Sequence, residues 1–257
     1  MNPAPVVFIT GASSGIGAAL ARAYAERGAS LGLLGRNEAA LARLAESLPG
    51  EHLTLVADVS VQAQIADATR RFVSRFGVPD VVIASAGVSV GTLTEYESDL
   101  ADFEQVLRTN LLGMVATFQP FVEPMRRRGS GRLVGIASVA GIRGLPGAGA
   151  YSASKAGVIS YLESLRVELH GSGVRVVTIA PGYIRTPMTD VNDYPMPFLM
   201  ASDAAARRML GMIEAGRRFG VVPWQMAVVA RLLAAIPRPV FDRLFSRAGR
   251  KPRGLPL

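Results

Sequence analysis

The stretch VVFITGASSGIG, Val6 to Gly17, is an apolar, partly β-branched run that ends at Thr10 and gives way to three glycines and the alanine-rich segment Ala18 to Ala25. This order predicts a buried strand, a tight turn and a helix. Glycine tolerates the dihedral angles such a turn needs and leaves room for a ligand to approach the backbone, while the first helical turn offers unpaired N–H groups to an anion. A dinucleotide pyrophosphate meets both conditions. Gly11, Gly15 and Gly17 are spaced Gly-x-x-x-Gly-x-Gly rather than the commoner Gly-x-Gly-x-x-Gly, so by themselves they also fit a β-to-α turn that binds nothing.

Outward from this unit the chain alternates. A helix from Ile16 to Arg27 closes at Gly28, and Ser30 to Leu34 predict a second strand ending at Gly35-Arg36. Asn37 caps a helix to about Leu48, Leu53 to Ala57 form a third strand ending in Asp58, and Asp80 to Ala84 form a fourth that runs into Ser85-Ala86-Gly87. Between them, Ile65, Ala68, Phe72 and Phe76 keep helical spacing. Short apolar strands separated by helices argue for a parallel sheet covered on both faces. Further on, a helix is expected from about Asp102 to Arg128, strands at Arg132 to Ala137, Val174 to Ala180 and Phe219 to Val222, and helices at Tyr151 to His170 and Ala204 to Arg218. The expected architecture is one α/β domain, a doubly wound parallel sheet of about seven strands spanning residues 1–222, with residues 223–257 as an extension packed on that domain or at an interface.

Composition removes several chemistries. There is no cysteine, and His52 and His170 are the only histidines, so disulfides, thiolate nucleophiles and a structural zinc cluster are excluded and no metal site is expected. No signal peptide and no bilayer-length apolar run are found, which gives a cytoplasmic expectation. The net charge of +8 is uneven: from Arg207 onward 11 basic residues face only Glu214 and Asp242, whereas residues 1–206 carry 17 basic and 18 acidic side chains. Basicity confined to the tail, without interleaved aromatic residues, argues against a nucleic-acid-binding face.

The end of the second strand carries no acid to hold ribose hydroxyls. Gly35 leaves space there and Arg36 offers a cation, which favours a 2′-phosphate and hence NADP(H) over NAD(H). The alternative is an arginine at the solvent edge of the strand, and Ser13 and Ser14 add hydroxyls but no second cation. Asp58 suits either an adenine amino group or the cap of the helix beginning near Val61. Ser138 follows a strand end, Tyr151 opens a helix thirteen residues later, and Lys155 lies four beyond, on the same helical face. An ammonium near a phenol lowers its pKa, and a serine hydroxyl can hold a substrate oxygen as charge develops on it. The trio makes a proton-transfer site, although an isolated Tyr-x-x-x-Lys also occurs as a surface pair. Asn110, inside the predicted helix, is either tolerated on a wet face or placed for a reason.

Taken jointly, Thr10 to Gly17, Asp58, Asn110, Ser138, the Tyr151-Ser-Ala-Ser-Lys155 run, Pro181-Gly182 and Thr186 resemble the short-chain dehydrogenase/reductase family in its classical form, over Val6 to about Val222. The resemblance implies a Rossmann-like fold and hydride transfer between a nicotinamide and a carbonyl or alcohol carbon. It makes Tyr151 the proton donor, Ser138 the holder of the substrate oxygen, Lys155 the residue that lowers the Tyr151 pKa and binds the nicotinamide ribose, and Asn110 the anchor of a water near Lys155. Cofactor contacts are implied for Gly11, Ser13, Ser14, Gly15, Ile16, Gly17, Arg36, Asp58, Val59, Ala86 and Gly87, and for Tyr151, Lys155, Pro181, Gly182, Ile184 and Thr186. Where many members have Asn-Asn-Ala-Gly, this chain has Ala84-Ser85-Ala86-Gly87, without the amides that tie down the sheet near the cofactor. A homodimer or homotetramer is also implied. A non-catalytic dinucleotide-binding regulator is the rival reading, and the intact Ser138, Tyr151, Lys155 and Asn110 set argues against it.

Tyr183 to Asp203, rich in proline and methionine, reads as a flap over the strand ends. Its Met188, Pro195, Met196, Phe198, Leu199 and Met200 suggest an apolar ketone or aldehyde substrate. In the extension, Trp224 to Ile236 predict an apolar helix, after which Val240, Phe241, Leu244 and Phe245 share one face opposite Asp242, Arg243 and Arg247. Residues 223–247 therefore suit three roles: a cover for the cleft, a subunit contact, or peripheral contact with a membrane.

Overall fold

The computed structural model describes residues 4–255. Strand β1 (Val6–Thr10) leads through the glycine turn into α1 (Gly15–Ala25), followed by β2 (Ser30–Gly35), α2 (Glu38–Ser47), β3 (His52–Val56), α3 (Gln62–Phe76) and β4 (Val81–Ala84). Then come α4 (Asp99–Leu107), α5 (Gly113–Arg128), β5 (Gly131–Ile136), α6 (Gly149–Glu168) and β6 (Val174–Pro181). The flap holds β7 (Ile184–Arg185), α7 (Pro187–Asp190) and β8 (Met200–Ala201), and the chain continues through α8 (Ser202–Glu214), β9 (Phe219–Val222), α9 (Trp224–Ala235) and α10 (Arg238–Phe245).

Among the described residues, seven parallel strands form one sheet in the order β3-β2-β1-β4-β5-β6-β9. The order reverses between β1 and β4, which pair with Thr10 opposite Ala84, so the loops leaving these two strands diverge and open a crevice beyond their carboxyl ends. Alternation along β1 sends Val7 and Ile9 to the face covered by α1 and α8, and Phe8 to the face covered by α3, α5 and α6. On the second face Phe8 packs on Phe72 and Phe121, with ring centroids 5.0 and 5.1 Å apart. Each such buried side chain contributes about 1.5–3 kcal/mol through the area it removes from water. Gly32 in β2 makes room for this cluster, since a Cβ there would lie 2.3 Å from the Phe72 ring.

Three local expectations change. The helix expected from Asp102 begins at Asp99 and is broken by a π-helical turn, Arg108–Leu112, around Asn110. The flap is less irregular than its sequence suggests: β7 and β8 pair in parallel, and Thr186 and Thr189 form a capping box on α7. In α10 it is Phe241 and Phe245, stacked 4.3 Å apart, that turn toward the domain, whereas Val240 and Leu244 lie outside beside Arg243. Residues 241 and 245 are one turn apart, so the four apolar side chains divide between two faces rather than sharing one.

Candidate active site

A cleft of about 600 Å³ runs along the strand ends. Its floor is the β1–α1 turn. Gly11 has φ of +68°, and a Cβ there would lie 2.7 Å from the Ala86 backbone; at Gly17 it would lie 2.2 Å from the Gly11 carbonyl oxygen. These glycines let the turn close against β4 and leave the start of α1 open to an anion. Ser13, Ser14, Gly15 and Ile16 line the same floor. Where the amides of the family pattern are missing, the Thr10 hydroxyl accepts one long bond, 3.4 Å, from Ala86 N.

At the adenosine end Arg36 and Asp58 face each other, Nη1 to Oδ2 3.8 Å. Asp58 is not a helix cap. Its Oδ1 accepts from Ser60 N and Ser60 Oγ, and Val61, the residue preceding α3, makes no side-chain cap. Arg43 from α2 and Arg185 from β7 line, with Arg22, a depression shared with Ser13 and Ser14 that adjoins the main cleft. Arg43 is the sixth residue of α2, and nothing in its spacing from Arg36, which lies outside the helix, marks it in the sequence.

Ser138, Tyr151 and Lys155 meet at the other end of the cleft. Ser138 caps a short 3₁₀ turn, accepting from Ala140 N at 3.1 Å, and lines the cleft together with the Tyr151 phenol. Lys155 is buried, and desolvation pulls its pKa down to about 8. Its Nζ donates to Ile136 O at 2.8 Å and lies 5.7 Å from the Tyr151 ring centroid. The phenol therefore behaves differently from the expectation: burial pushes its pKa up, partly opposed by the Ser138 hydroxyl.

Asn110 does not line the cleft. It is wholly buried behind Gly87, its Oδ1 accepting from Val88 N at 2.8 Å and its Nδ2 donating to Val88 O and to Ser154 Oγ, each at 3.0 Å. A Cβ on Gly87 would lie 3.2 Å from Asn110 Oδ1 and 3.6 Å from Lys155 Nζ. Asn110 thus ties the β4 loop to α6 next to the Lys155 ammonium, and the π turn is the backbone adjustment that lets it do so from inside a helix. Pro181, Gly182, Ile184 and Thr186 complete the wall, as do Val59, Ala86 and Gly87.

Beside the cleft lies a segment whose place the sequence left open. After α10 the chain returns past the mouth: Gly91 N donates to Pro252 O at 2.8 Å, and Lys251 Nζ donates to Met188 O at 2.8 Å. Arg253 grips both oxygens of Asp99, each at 2.7 Å, and its guanidinium lies 3.6 Å from the Tyr96 ring centroid. The Arg253 bonds hold the Asp99 carboxyl down at about 2. Residues 249–253 thereby join the loop after β4 to the flap.

The cradle fits a nicotinamide dinucleotide. The glycine turn leaves the start of α1 open to the cleft, and among the described residues the buried Lys155 ammonium makes one hydrogen bond, leaving two N–H groups for ligand hydroxyls. The short chain dehydrogenase model matches residues 5–194. The chain belongs to the short chain dehydrogenase family. It is 40% identical over 239 residues to an uncharacterised oxidoreductase of Myxococcus xanthus, covering 91% of this chain and 94% of the relative. A 3-oxoacyl-[acyl-carrier-protein] reductase of Thermotoga maritima is 35% identical over 233 residues, 90% of each chain. A 3-oxoacyl-[acyl-carrier protein] reductase of Brucella melitensis, solved with bound NAD, superposes with a TM-score of 0.75 at 30% identity over 84% of this chain and 88% of that one. The dehydrogenase is accordingly an oxidoreductase of the NAD(P)-binding kind, with its catalytic sheet formed as the sequence implied.

Proposed function

We propose that the enzyme is an NADPH-dependent reductase of an apolar ketone or aldehyde. The observation that carries the reading is the Ser138–Tyr151 hydroxyl pair at the closed end of the cleft, with the phenol kept protonated by burial. A protonated phenol is the form that gives a proton to a carbonyl oxygen, which is compatible with the reductive direction. When held in the cleft, a reduced nicotinamide dinucleotide would supply a hydride to the carbonyl carbon. Tyr151 transfers its proton to the oxygen, Ser138 donates a hydrogen bond to that same oxygen, and Lys155 holds ribose hydroxyls and steadies the phenolate that proton transfer leaves. Reprotonation of Tyr151 from solvent completes the cycle, giving one alcohol and one oxidised dinucleotide.

Arg36 at the adenosine end supports the 2′-phosphate preference, and Arg43 and Arg185 line the neighbouring depression. Met188 at the cleft, the apolar flap around it and the named activity of the 3-oxoacyl reductase relatives support the substrate class. Exposed Leu112 and Val167, 57% and 66% accessible on adjoining helical segments, support a homo-oligomer.

The test is the initial rate of NADPH and, separately, NADH consumption across aldehydes and ketones graded from short-chain to steroid-sized. Rates rising with apolar size are expected. Tyr151→Phe should lower kcat by about 10²–10⁴-fold with dinucleotide affinity unchanged; retained turnover would sink the proton-donor role. With Lys155 near 8, kcat/KM for reduction should fall as pH rises through about 8, because the cation that steadies the phenolate is lost.

A further inference from the structure

We infer that the outward face of α9 and α10 docks the enzyme onto an anionic lipid bilayer. On α9, Met226 and Ala230 pack inward on Val139. Trp224, Val228 and Leu232, spaced by one turn, form a stripe on the opposite side, and Val240 and Leu244 continue it on α10. All five are between 45% and 65% exposed. Large apolar side chains in such a row are costly to leave in water, which marks the face as a contact surface.

The charges select the occupant. Arg231, Arg238, Arg243, Arg247 and Arg250 are all exposed on or beside these helices, and among the described residues none of them forms an ion pair. Asp242 is the only acid in the extension. Arg243 and Arg247 follow Val240 and Leu244 by three residues each, so cations and apolar groups alternate on one face rather than separating into an apolar core and a polar rim. A second copy of this face would set these arginines against one another with only Asp242 in the extension to offset them. A bilayer interface takes both, acyl chains meeting Trp224, Val228, Leu232, Val240 and Leu244 while headgroup phosphates meet the guanidinium groups.

The face is held rigidly. Arg143 donates from Nη1 to Ile236 O at 3.0 Å and stacks over the Phe241 ring at 4.2 Å, pinning the corner between the helices to the domain. Among the described residues no helix is long and apolar enough to cross a membrane; α9 is about 18 Å long and would lie in the interface plane. Met226 also abuts Gly182 in the cleft wall, so docking sets the substrate side of the enzyme beside the lipid. The docking itself does not rest on the reductase reading.

Trp224 is the only tryptophan, which gives a direct probe. The full chain is titrated with vesicles of phosphatidylglycerol and phosphatidylcholine, and with phosphatidylcholine alone, following tryptophan emission and co-sedimentation. A blue shift, quenching by brominated acyl chains and co-sedimentation are expected with the anionic vesicles, weakening as salt rises. Arg243→Gln and Arg247→Gln should each lower partitioning about fivefold, and Leu232→Glu should remove the spectral shift while NADPH binding stays unchanged. Three outcomes overturn the inference: no shift or co-sedimentation at low salt, wild-type vesicle binding by the variants, or a Leu232→Glu variant that only halves the mass in solution, which would make the face a contact between copies.

Discussion

At the cofactor end of the cleft the geometry is set by glycine backbone pressed on backbone; at the substrate rim side-chain bonds from the returning C-terminal segment join one backbone bond, Gly91 to Pro252, in holding the chain. Gly17 approaches the carbonyl of Gly11, six residues earlier, whereas Arg253 holds Asp99 across 154 positions. The first arrangement has no adjustable part, and a single added methyl group breaks it. The second is a set of separable bonds between a loop, a flap and the returning C-terminal segment, so losing one should change how the mouth closes and leave the sheet intact. The binding of a common cofactor and the choice of a particular substrate thereby rest on structures that fail in different ways.

The largest effect is expected from Gly17→Ala. Alanine is favoured over glycine in a helix by about 1 kcal/mol, but its Cβ would lie 2.2 Å from the Gly11 oxygen, and backbone cannot yield there without opening the turn. Overpacking of this kind costs about 1–3 kcal/mol or more, so the clash outweighs the propensity. Urea unfolding should show a loss of stability, and NADPH titration a larger loss of affinity. A variant that binds NADPH normally would break the claim that the cofactor end has no slack.

The rim is expected to respond differently. Arg253→Ala should raise KM for bulky carbonyl substrates several-fold while the dissociation constant for NADPH stays unchanged. The partner group gives a pH signature. With Arg253 present the Asp99 carboxyl is held at about 2 against an ordinary value of 3.8, so the contribution of this pair to strap closure is complete above pH 4 and lost as pH falls toward 2. A carboxyl-carbon NMR titration should find Asp99 near 2 in the wild type and close to its ordinary value in Arg253→Ala. Equal changes in substrate KM and NADPH affinity would erase the contrast between rim and floor.

The same contrast explains what could be read from the chain. The β1–α1 turn, the strand alternation, and the joining of Ser138, Tyr151 and Lys155 are encoded locally, by glycine, by apolar period and by one helical turn of spacing, and the structure assembles them in one cleft. Asn110 was legible as an oddity, a helix-disfavoured residue inside a helix, but the π turn that accommodates it depends on Val88 and Ser154, which arrive from elsewhere. Arg43 was hidden because its role depends on where α2 packs. Neither Asp99 nor Arg253 carries any local pattern, and the strap is a product of tertiary contacts alone. The raised Tyr151 pKa was missed for a related reason: spacing reports that Lys155 is one turn away, while burial, which decides the shift, is a property of the folded cleft.

A smaller effect sharpens the floor of the comparison at its adenosine end. Arg36 is half-exposed and shared with Asp58, so solvent and that carboxylate both reduce what it offers to a phosphate. Arg36→Ala should therefore raise KM for NADPH by about tenfold, at the low end of a charged hydrogen bond, and leave KM for NADH little changed. Equal effects on both dinucleotides would remove the 2′-phosphate argument. Retention of most of the preference would shift the role to Arg43 and Arg185, and a second substitution at Arg43 would then separate the two.

The smallest effect is expected inside α1 itself. Tyr24 is 2% exposed, between α1 and the rest of its layer, and its hydroxyl has no hydrogen-bond partner among the described residues. Burial drives the phenol pKa far upward, with Glu214 adding to the shift, so the group stays neutral at any working pH. An unpaired buried hydroxyl contributes nothing by hydrogen bonding and still carries the cost of leaving water, about 1–3 kcal/mol when no partner compensates. Tyr24→Phe removes that cost and opens only a small void where the oxygen stood, so the two terms oppose each other and the net change should lie between zero and about 1 kcal/mol in favour of the variant. Thermal unfolding with a parallel NADPH titration reads both consequences. A stabilised variant with unchanged affinity would mean that α1 tolerates change on its packed side while the glycine turn at its start tolerates none. A destabilised one would mean that the hydroxyl has a partner, such as an ordered water, and that the rigidity of the turn extends along the helix it begins.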